Sequence, residues 1–198
     1  MQSTNLLTAR RERAVGSLQL GAGVFLTGLD LDSATSARQL RERIAAALED
    51  DTRTLGLTTG GGWFRCVPAL RCPGEEARRP PTVGDALLDG WVVTLSGTMV
   101  ELTPERLGML LPGAQATRTG RVTELRLPRE LPEALPTLCW VGDTTSGLVA
   151  IELTGAMNAA GAAFHFVERG EGTLPFEFRA HQEAPGEAEV PCRVVFLE

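Results

Sequence analysis

Histidine and cysteine are the side chains most often used for proton transfer and for binding transition metals, and this sequence contains few of either. It has two histidines and four cysteines: His165, His181, Cys66, Cys72, Cys139 and Cys192. The cysteines form no Cys-x-x-Cys pair, and the histidines lie far from most of them, so the spacing does not predict a zinc site. His165 lies between Phe164 and Phe166 and so points to the opposite face of the same strand. We interpret both histidines as surface or interface residues rather than as general bases.

Two of the thiols are close together in the sequence. Cys66 and Cys72 are separated by five residues and could form a disulfide in an oxidising compartment. The N-terminal region does not resemble a signal peptide, however, because glycines and polar residues interrupt the apolar stretch Ala14–Leu29. We therefore expect four free thiols, no membrane span and synthesis in the cytoplasm.

Three short polar motifs resemble sites of known chemistry, but each lacks an essential residue. The segment GDTTSG (142–147) lacks the Gly-x-Ser-x-Gly pattern of a nucleophile turn and is interpreted as a hairpin loop. The segment GLTTGGG (56–62) lacks the glycine spacing and the Gly-Lys-Ser/Thr ending of phosphate loops, and is interpreted as a flexible strand junction. A calcium-like loop begins at Asp30, but its twelfth position is Arg41, where a bidentate Glu is required. No catalytic, cofactor-binding or metal-binding residue is predicted, so the chain is not expected to be an enzyme.

The three tryptophans leave one binding function open. Trp63, Trp91 and Trp140 could form a platform on which sugar rings stack, if they met on one exposed face. Three tryptophans in three predicted strands are more typical of core or interface positions. A carbohydrate-binding β-sandwich is therefore one alternative, and a small hydrolase, which would need a polar constellation in a cleft, is another.

The charge of the chain argues against binding of nucleic acid. The 198 residues carry a formal net charge of −6, and all 19 basic residues are arginine, without any lysine. Binding to phosphates by counterion release requires clustered cations. We therefore expect no sequence-specific contact with nucleic acid.

Two helices are predicted from capping residues and apolar spacing. The first spans Ala34–Glu49 and is expected to be capped by Asp32 or Ser33. The second is short, because Thr103 caps it, Pro104 opens it and a Pro-Gly pair ends it. Its expected buried stripe is Leu107, Leu110 and Leu111.

Alternation of apolar and polar residues predicts that most of the remaining chain forms strands. The predicted strands are Ser17–Leu29, Leu55–Leu57, Trp63–Leu70, the segment from Trp91 to Met99, Arg121–Leu127, Pro136–Val141 paired with Leu148–Leu153, Phe164–Glu168, Thr173–His181 and Val190–Leu197. The segment after Trp91 is expected to bury one face and to expose a face rich in Thr and Ser. The last strand is apolar on both faces, as expected of a central or interface strand.

This order of elements predicts a mainly β (α+β) fold. We expect an antiparallel β-sandwich or partial barrel, with a short flanking helix and one longer N-terminal helix, in a single domain over 1–198 with a flexible arm at 1–13. The candidate anchors of the core and sheets are Trp91, Leu107, Leu110, Phe176 and Phe178.

One segment cannot belong to the core. Arg71–Pro81 (RCPGEEARRPP) contains three prolines and five charges, and it is predicted to be an extended loop tip between two strands. Its charged residues are interpreted either as a solvated loop or as a contact between subunits. These candidate contact residues are Arg71, Glu75, Glu76, Arg78 and Arg79.

Three segments carry a resemblance to a known family. They are TPERLGMLLPGA (103–114), LCWVGDTTSGLVAIELTGAMNAAG (138–161) and GEGTLPFEFRAH (170–181). Through these segments and their order, the region Asp85–His181 resembles the tail tube (major tail) proteins of long-tailed phages and prophages of Gram-positive bacteria.

The resemblance implies a structural virion protein that works by self-assembly. In that family, strands of neighbouring copies join into a hexameric ring, and rings stack into a tube around a tape-measure protein and later around DNA. It implies a location in the virion tail after assembly in the host cytoplasm, with tail-end proteins as further partners. The Ala34–Glu49 helix and the long Cys66–Gly90 excursion depart from the simplest tube subunits. A neck or tail-terminator ring, a baseplate component or the inner tube of a contractile injection particle are therefore alternatives.

Overall fold

The computed structural model describes residues 19–29, 31, 36–72, 84, 86–144, 147–170, 172–182 and 190–197. This part of the chain forms ten strands and two α-helices. The strands are β1 (Gln19–Thr27), β2 (Thr58–Arg71), β3 (Leu87–Met99), β4 (Gln115–Thr119), β5 (Val122–Arg126), β6 (Leu138–Thr144), β7 (Gly147–Leu153), β8 (Met157–Asn158), β9 (Leu174–Arg179) and β10 (Cys192–Leu197). The helices are α1 (Ala37–Glu49) and α2 (Pro104–Leu110), and a 3₁₀ turn covers Asp51–Arg53.

The strands form two four-stranded antiparallel sheets and one separate hairpin. Sheet A has the order β1-β6-β7-β10, and sheet B has the order β2-β3-β9-β8. The hairpin consists of β4 and β5. The prediction of a mainly β, sandwich-like α+β fold with two helices is confirmed.

The main core lies between the two sheets, because each contributes an apolar face. Its buried side chains come from strands on both sides: Phe25, Val149, Ile151 and Leu153 from sheet A, and Val93, Leu95, Met99, Leu174, Phe176 and Phe178 from sheet B. Leu110 of α2 packs into the same core, while Leu107 is only half-buried. The alternation predicted for β9 is therefore correct, and so are Leu110, Phe176 and Phe178 as core residues.

Helix α1 covers the other face of sheet A. Leu40, Ile44 and Ala47 are buried against a second apolar cluster that contains Leu26 and Val141. Sheet A is thus buried on both faces, which explains why β7 is apolar almost throughout. The result is a helix layer, sheet A and sheet B, in that order.

Strand β2 faces sheet A across the space between the two sheets. Its first half shares a cleft with Gly23 of β1, Trp140 of β6 and Ile151 of β7. Further along β2, Cys66 is a neighbour of Cys192 of β10.

The glycine-rich segment belongs to one strand, so the predicted junction between two strands is wrong. Residues 58–71 form a single strand, and the predicted strand at Leu55–Leu57 is not formed. Gly60 and Gly61 have φ values of +72° and +75°, and the register with β3 shifts between Thr59 and Trp63. The glycines make a bulge, because a conformation with positive φ is accessible to them without steric cost.

The structure corrects other predicted boundaries. Helix α1 begins at Ala37, and its N-cap is Ser36, whose Oγ accepts a hydrogen bond from the amide of Gln39 at 3.3 Å. The predicted caps at residues 32 and 33 lie outside the described residues. The strand predicted at Phe164–Glu168 is absent, since only His165 forms a bridge, with Thr173.

Candidate assembly surface

The end of β2 and the start of β3 form an exposed hairpin. We call this the hairpin arm and define it as Cys66–Arg71 together with Leu87–Val92, which pair along the length of the arm. Most of its residues are exposed, in contrast to the buried Val93 and Leu95 further along β3.

The hairpin arm exposes large apolar side chains. Five of them are 40–59% exposed: Val67, Leu70, Leu87, Leu88 and Trp91. Single exposed apolar residues are common on protein surfaces, but contiguous apolar patches usually mark sites of interaction. The arm is therefore the strongest candidate for a contact surface.

The prediction of Trp91 as a core residue is wrong. Trp91 is 40% exposed, although it lies on the same face of β3 as the buried Val93 and Leu95. Side chains alternate along β3 as predicted, but the apolar face is covered at Val93 and Leu95 and not at Trp91. The opposite face carries the predicted stripe of Thr94, Ser96 and Thr98, which are half-buried.

An ion pair closes the outer end of the described arm. The Nε of Arg71 donates to the carboxylate of Asp89 at 3.2 Å across the two strands. Both side chains are exposed, so the pair contributes little to stability. The four other charged residues proposed as contacts, Glu75, Glu76, Arg78 and Arg79, lie outside the described residues.

Strand β10 provides a second apolar surface at an open sheet edge. Within the described chain, β10 pairs with β7 and with no other strand. This places it at an edge, so the prediction of a central position is wrong, whereas the interface role stays a prediction. Phe196 is 72% exposed, and Val194 is also exposed. Both side chains lie on the face of sheet A that is directed towards the main core, but at its open edge. An edge strand of this kind can pair with a strand of another molecule.

A cleft of about 830 Å³ lies between the sheets where β1 and β2 approach each other. Its walls include Phe25, Phe64, Ser96 and two tryptophans, Trp63 and Trp140, beside the glycine bulge. Trp63 is 68% exposed, and the guanidinium of Arg65 lies 5.6 Å from the centre of its ring. Two of the three tryptophans considered as a sugar platform are thus brought together, and Trp91 is on the separate hairpin arm.

The buried polar side chains are used by the fold itself. Arg106 is 3% exposed, and its guanidinium donates to the carbonyl of Asp51 at 2.5 Å, to Asp51 Oδ1 at 2.6 Å and to the carbonyl of Thr54. Its Nε lies 3.6 Å from Glu101 Oε1. This cluster joins α2 to the 3₁₀ turn. The apolar spacing of the helix did not indicate it, because Arg106 is not part of the apolar stripe.

Asn158 and Glu152 also have structural partners. The amide of Asn158 donates to the carbonyls of Leu110 and Gly161 at 3.0 and 2.7 Å, and its oxygen accepts from the amide of Glu177 at 3.0 Å. Glu152 accepts from the amide of Leu31 at 3.4 Å. These bonds join α2, β8 and β9, and they anchor the segment after β1 on β7.

The described part of the chain does not assemble a recognisable catalytic constellation or metal site. It contains no cluster of three or more His, Cys, Asp or Glu side chains that could hold a metal ion. The ring Nδ1 of His181 lies 3.0 Å from the carbonyl of Gly155, a backbone partner. Burial, and then the nearby carboxylate of Glu152, raise the pKa of the Cys139 thiol to about 12, so this thiol is unreactive at neutral pH.

Two other thiols are neighbours in a way that the sequence did not indicate. Burial, and then the nearby Cys66, raise the pKa of the Cys192 thiol to about 11, although the two cysteines are far apart in the chain. Cys72 follows the end of β2, and six residues of extended strand place it roughly 20 Å from Cys66. A disulfide needs Cα atoms within about 7 Å, so the Cys66–Cys72 bridge that spacing left open is excluded.

No protein-family model matches the chain, and no curated protein matches its sequence significantly. None of the described helices is long and apolar enough to cross a membrane.

Proposed function

We propose that this protein is a self-assembling structural subunit of the tail tube type, which forms stacked, hexameric rings as a virion component. The observation that carries the proposal is the hairpin arm, where five large apolar side chains are exposed on two paired strands. A second copy that covers the arm would remove these side chains from water, at about 25 cal/mol per Å² of apolar surface.

The open edges of both sheets support the same proposal. In the described chain, β2 and β10 each pair with one neighbouring strand, so both lie at the edge of a sheet. Natural proteins usually shield such edges by charges, prolines or covering loops. Here β10 presents Phe196 and Val194, which favour pairing with another copy over remaining exposed. The ring-component alternatives implied by the resemblance, such as a tail terminator, would use the same surfaces.

The decisive experiment compares assembly of matched variants. Wild-type protein at high concentration is expected to form regular rings or tubes in negative-stain electron micrographs, and large particles in size-exclusion chromatography with light scattering. The double variant Leu70→Ser/Leu88→Ser should keep its circular dichroism spectrum and remain monomeric.

The control removes equally exposed apolar side chains from another hairpin. Val122 and Leu127 are 67% and 65% exposed at the β4–β5 hairpin. The variant Val122→Ser/Leu127→Ser should assemble like the wild type. A wild-type protein that is monomeric at every concentration, or an arm variant that assembles normally, would overturn the proposal.

The tryptophan cleft supports a second candidate function, binding of a neutral saccharide. The described lining residues carry no charge, and two indoles stand near the hydroxyl groups of Thr58 and Ser96. Aromatic faces stack on sugar rings while hydroxyl groups hydrogen-bond to the ligand. Oligosaccharides should then change the tryptophan fluorescence of the wild type, and Trp63→Ala should abolish the change. An unchanged spectrum across a panel of neutral oligosaccharides would exclude this function.

A further inference from the structure

We propose that Cys66 and Cys192 form a reversible disulfide that ties the base of the hairpin arm to the edge strand of sheet A. The inference does not depend on the proposed assembly, because both thiols belong to one molecule.

The strand registers place both side chains between the sheets. Cys66 is paired with Val93, and Cys192 is paired with Leu153, and both partners point into the main core. Residues directly opposite each other in antiparallel strands project to the same face. The two cysteines therefore project into the space between the sheets from opposite sides.

The two thiols are near enough for Cys66 to act on the charge of Cys192. Cys139, by contrast, is buried in the other apolar cluster, between sheet A and α1. Cys72 is excluded by the extension of β2. Of the other three cysteines, only Cys192 is therefore placed to form an intramolecular disulfide with Cys66.

The environments of the two thiols assign them different roles. Cys66 is exposed to solvent, and Cys192 is half-buried beside the core. Burial, with the neighbouring Cys66, raises the pKa of the Cys192 thiol to about 11, so Cys192 stays protonated at neutral pH. Cys66 is thus the thiol that an external oxidant reaches first.

The oxidant is a low-molecular-weight disulfide, such as oxidised glutathione. The Cys66 thiolate attacks one sulfur of the small disulfide and forms a mixed disulfide with it. The S–S bond of the small disulfide breaks, and the other half leaves as a thiolate with the electron pair and takes up a proton. The Cys192 thiol loses its proton to solvent and attacks the Cys66 sulfur, which forms the Cys66–Cys192 bond and releases the second small thiol. Two protein thiols are oxidised, and one small disulfide is reduced to two thiols.

The bond would change the mobility of the arm and the stability of the whole fold. It joins the two sheets covalently and closes a loop of more than a hundred residues. Long loops give the largest loss of unfolded-state entropy. In a reducing compartment both cysteines stay thiols, so the disulfide forms only when conditions become oxidising.

The test uses the full-length, reduced protein under native conditions. After incubation with oxidised glutathione, mass spectrometry of the intact protein should show a monomer two hydrogen masses lighter than the reduced form. After alkylation of the remaining thiols, digestion should release a linked peptide that contains Cys66 and Cys192. The Tm should rise by on the order of 10 °C, and a reducing agent should reverse the rise.

Single variants separate this disulfide from other thiol chemistry. Cys66→Ser and Cys192→Ser should each abolish the linked peptide and the rise in Tm, whereas Cys72→Ser should retain both. A Cys66–Cys72 link, a link between molecules, or glutathione bound at Cys66 without cross-linking would overturn the proposal. Because the readout is the mass of the monomer, failure of ring assembly would not affect it.

Discussion

Phe176 of β9 lies directly opposite Gly97 of β3, and the ring of Phe176 occupies the space that the Cβ atom of any other residue at position 97 would need. A Cβ atom placed on Gly97 would be 2.7 Å from Cζ of Phe176. The same ring contacts Phe25 of sheet A edge to face, with centroids 5.0 Å apart. A glycine on one strand therefore makes the room for the aromatic contact that joins the two sheets.

Substitution of Gly97 should accordingly be costly. Gly97→Ala is expected to lower the free energy of unfolding by about 1–3 kcal/mol, because Phe176 must leave its place in the core. Urea denaturation measures the change. The control is Gly108→Ala in α2, where a Cβ would be 4.0 Å from Leu125 and alanine favours the helix. Equal stability of the Gly97 variant and the wild type would contradict the prediction.

Arg106 should contribute more to stability than any surface ion pair. Arg106→Met leaves the carbonyls of Asp51 and Thr54 without their donor, and we expect a loss of about 2 kcal/mol in the free energy of unfolding. The matched variant is Arg126→Met, whose exposed pair with Glu124 at 3.0 Å is expected to be worth under about 0.5 kcal/mol. Similar midpoints of urea denaturation for the two variants would refute this assignment.

Stability should fall in alkaline solution because of the buried Cys139. Its folded-state pKa is raised from 9.0 to about 12, so the thiol ionises first in the unfolded chain. The stabilisation is complete below pH 9 and is lost as the pH rises towards 12, which amounts to about 1.4 kcal/mol between pH 8 and pH 10.

The composition makes this pH effect unusually easy to measure. The sequence contains neither lysine nor tyrosine, so cysteine thiols are the side chains that titrate in this range. Urea denaturation of Cys139→Ala should show a shallower dependence on pH than the wild type. Parallel pH profiles for the two proteins would show that Cys139 is not responsible.

The edge strand β10 offers a test of assembly that does not involve the hairpin arm. Phe196 is 72% exposed, so Phe196→Arg should change the thermal midpoint by no more than a few degrees. If a neighbouring copy pairs with β10, the arginine should weaken self-association at least tenfold, measured by analytical ultracentrifugation. Val122→Arg serves as a control for added charge. An unchanged association constant would remove β10 from the interface.

Local patterns in the sequence were sufficient for much of the fold. The alternation in β9 predicted which side chains are buried, and Thr103 followed by Pro104 predicted the start of α2, whose N-cap hydrogen bond is formed at 3.2 Å. The hairpin of β6 and β7 was also predicted. These features depend on neighbours in the chain, so the backbone geometry of one strand or one helical turn encodes them.

The amino-acid pattern specifies which face of each element is apolar, but the packing of the elements specifies whether another layer covers that face. Trp91 follows the same alternation as Leu95 but is exposed. Arg106 and the Cys66–Cys192 pair depend on contacts between elements distant in the chain. The physical reason is that periodicity reports the direction of a side chain, whereas burial depends on the extent of the layer opposite.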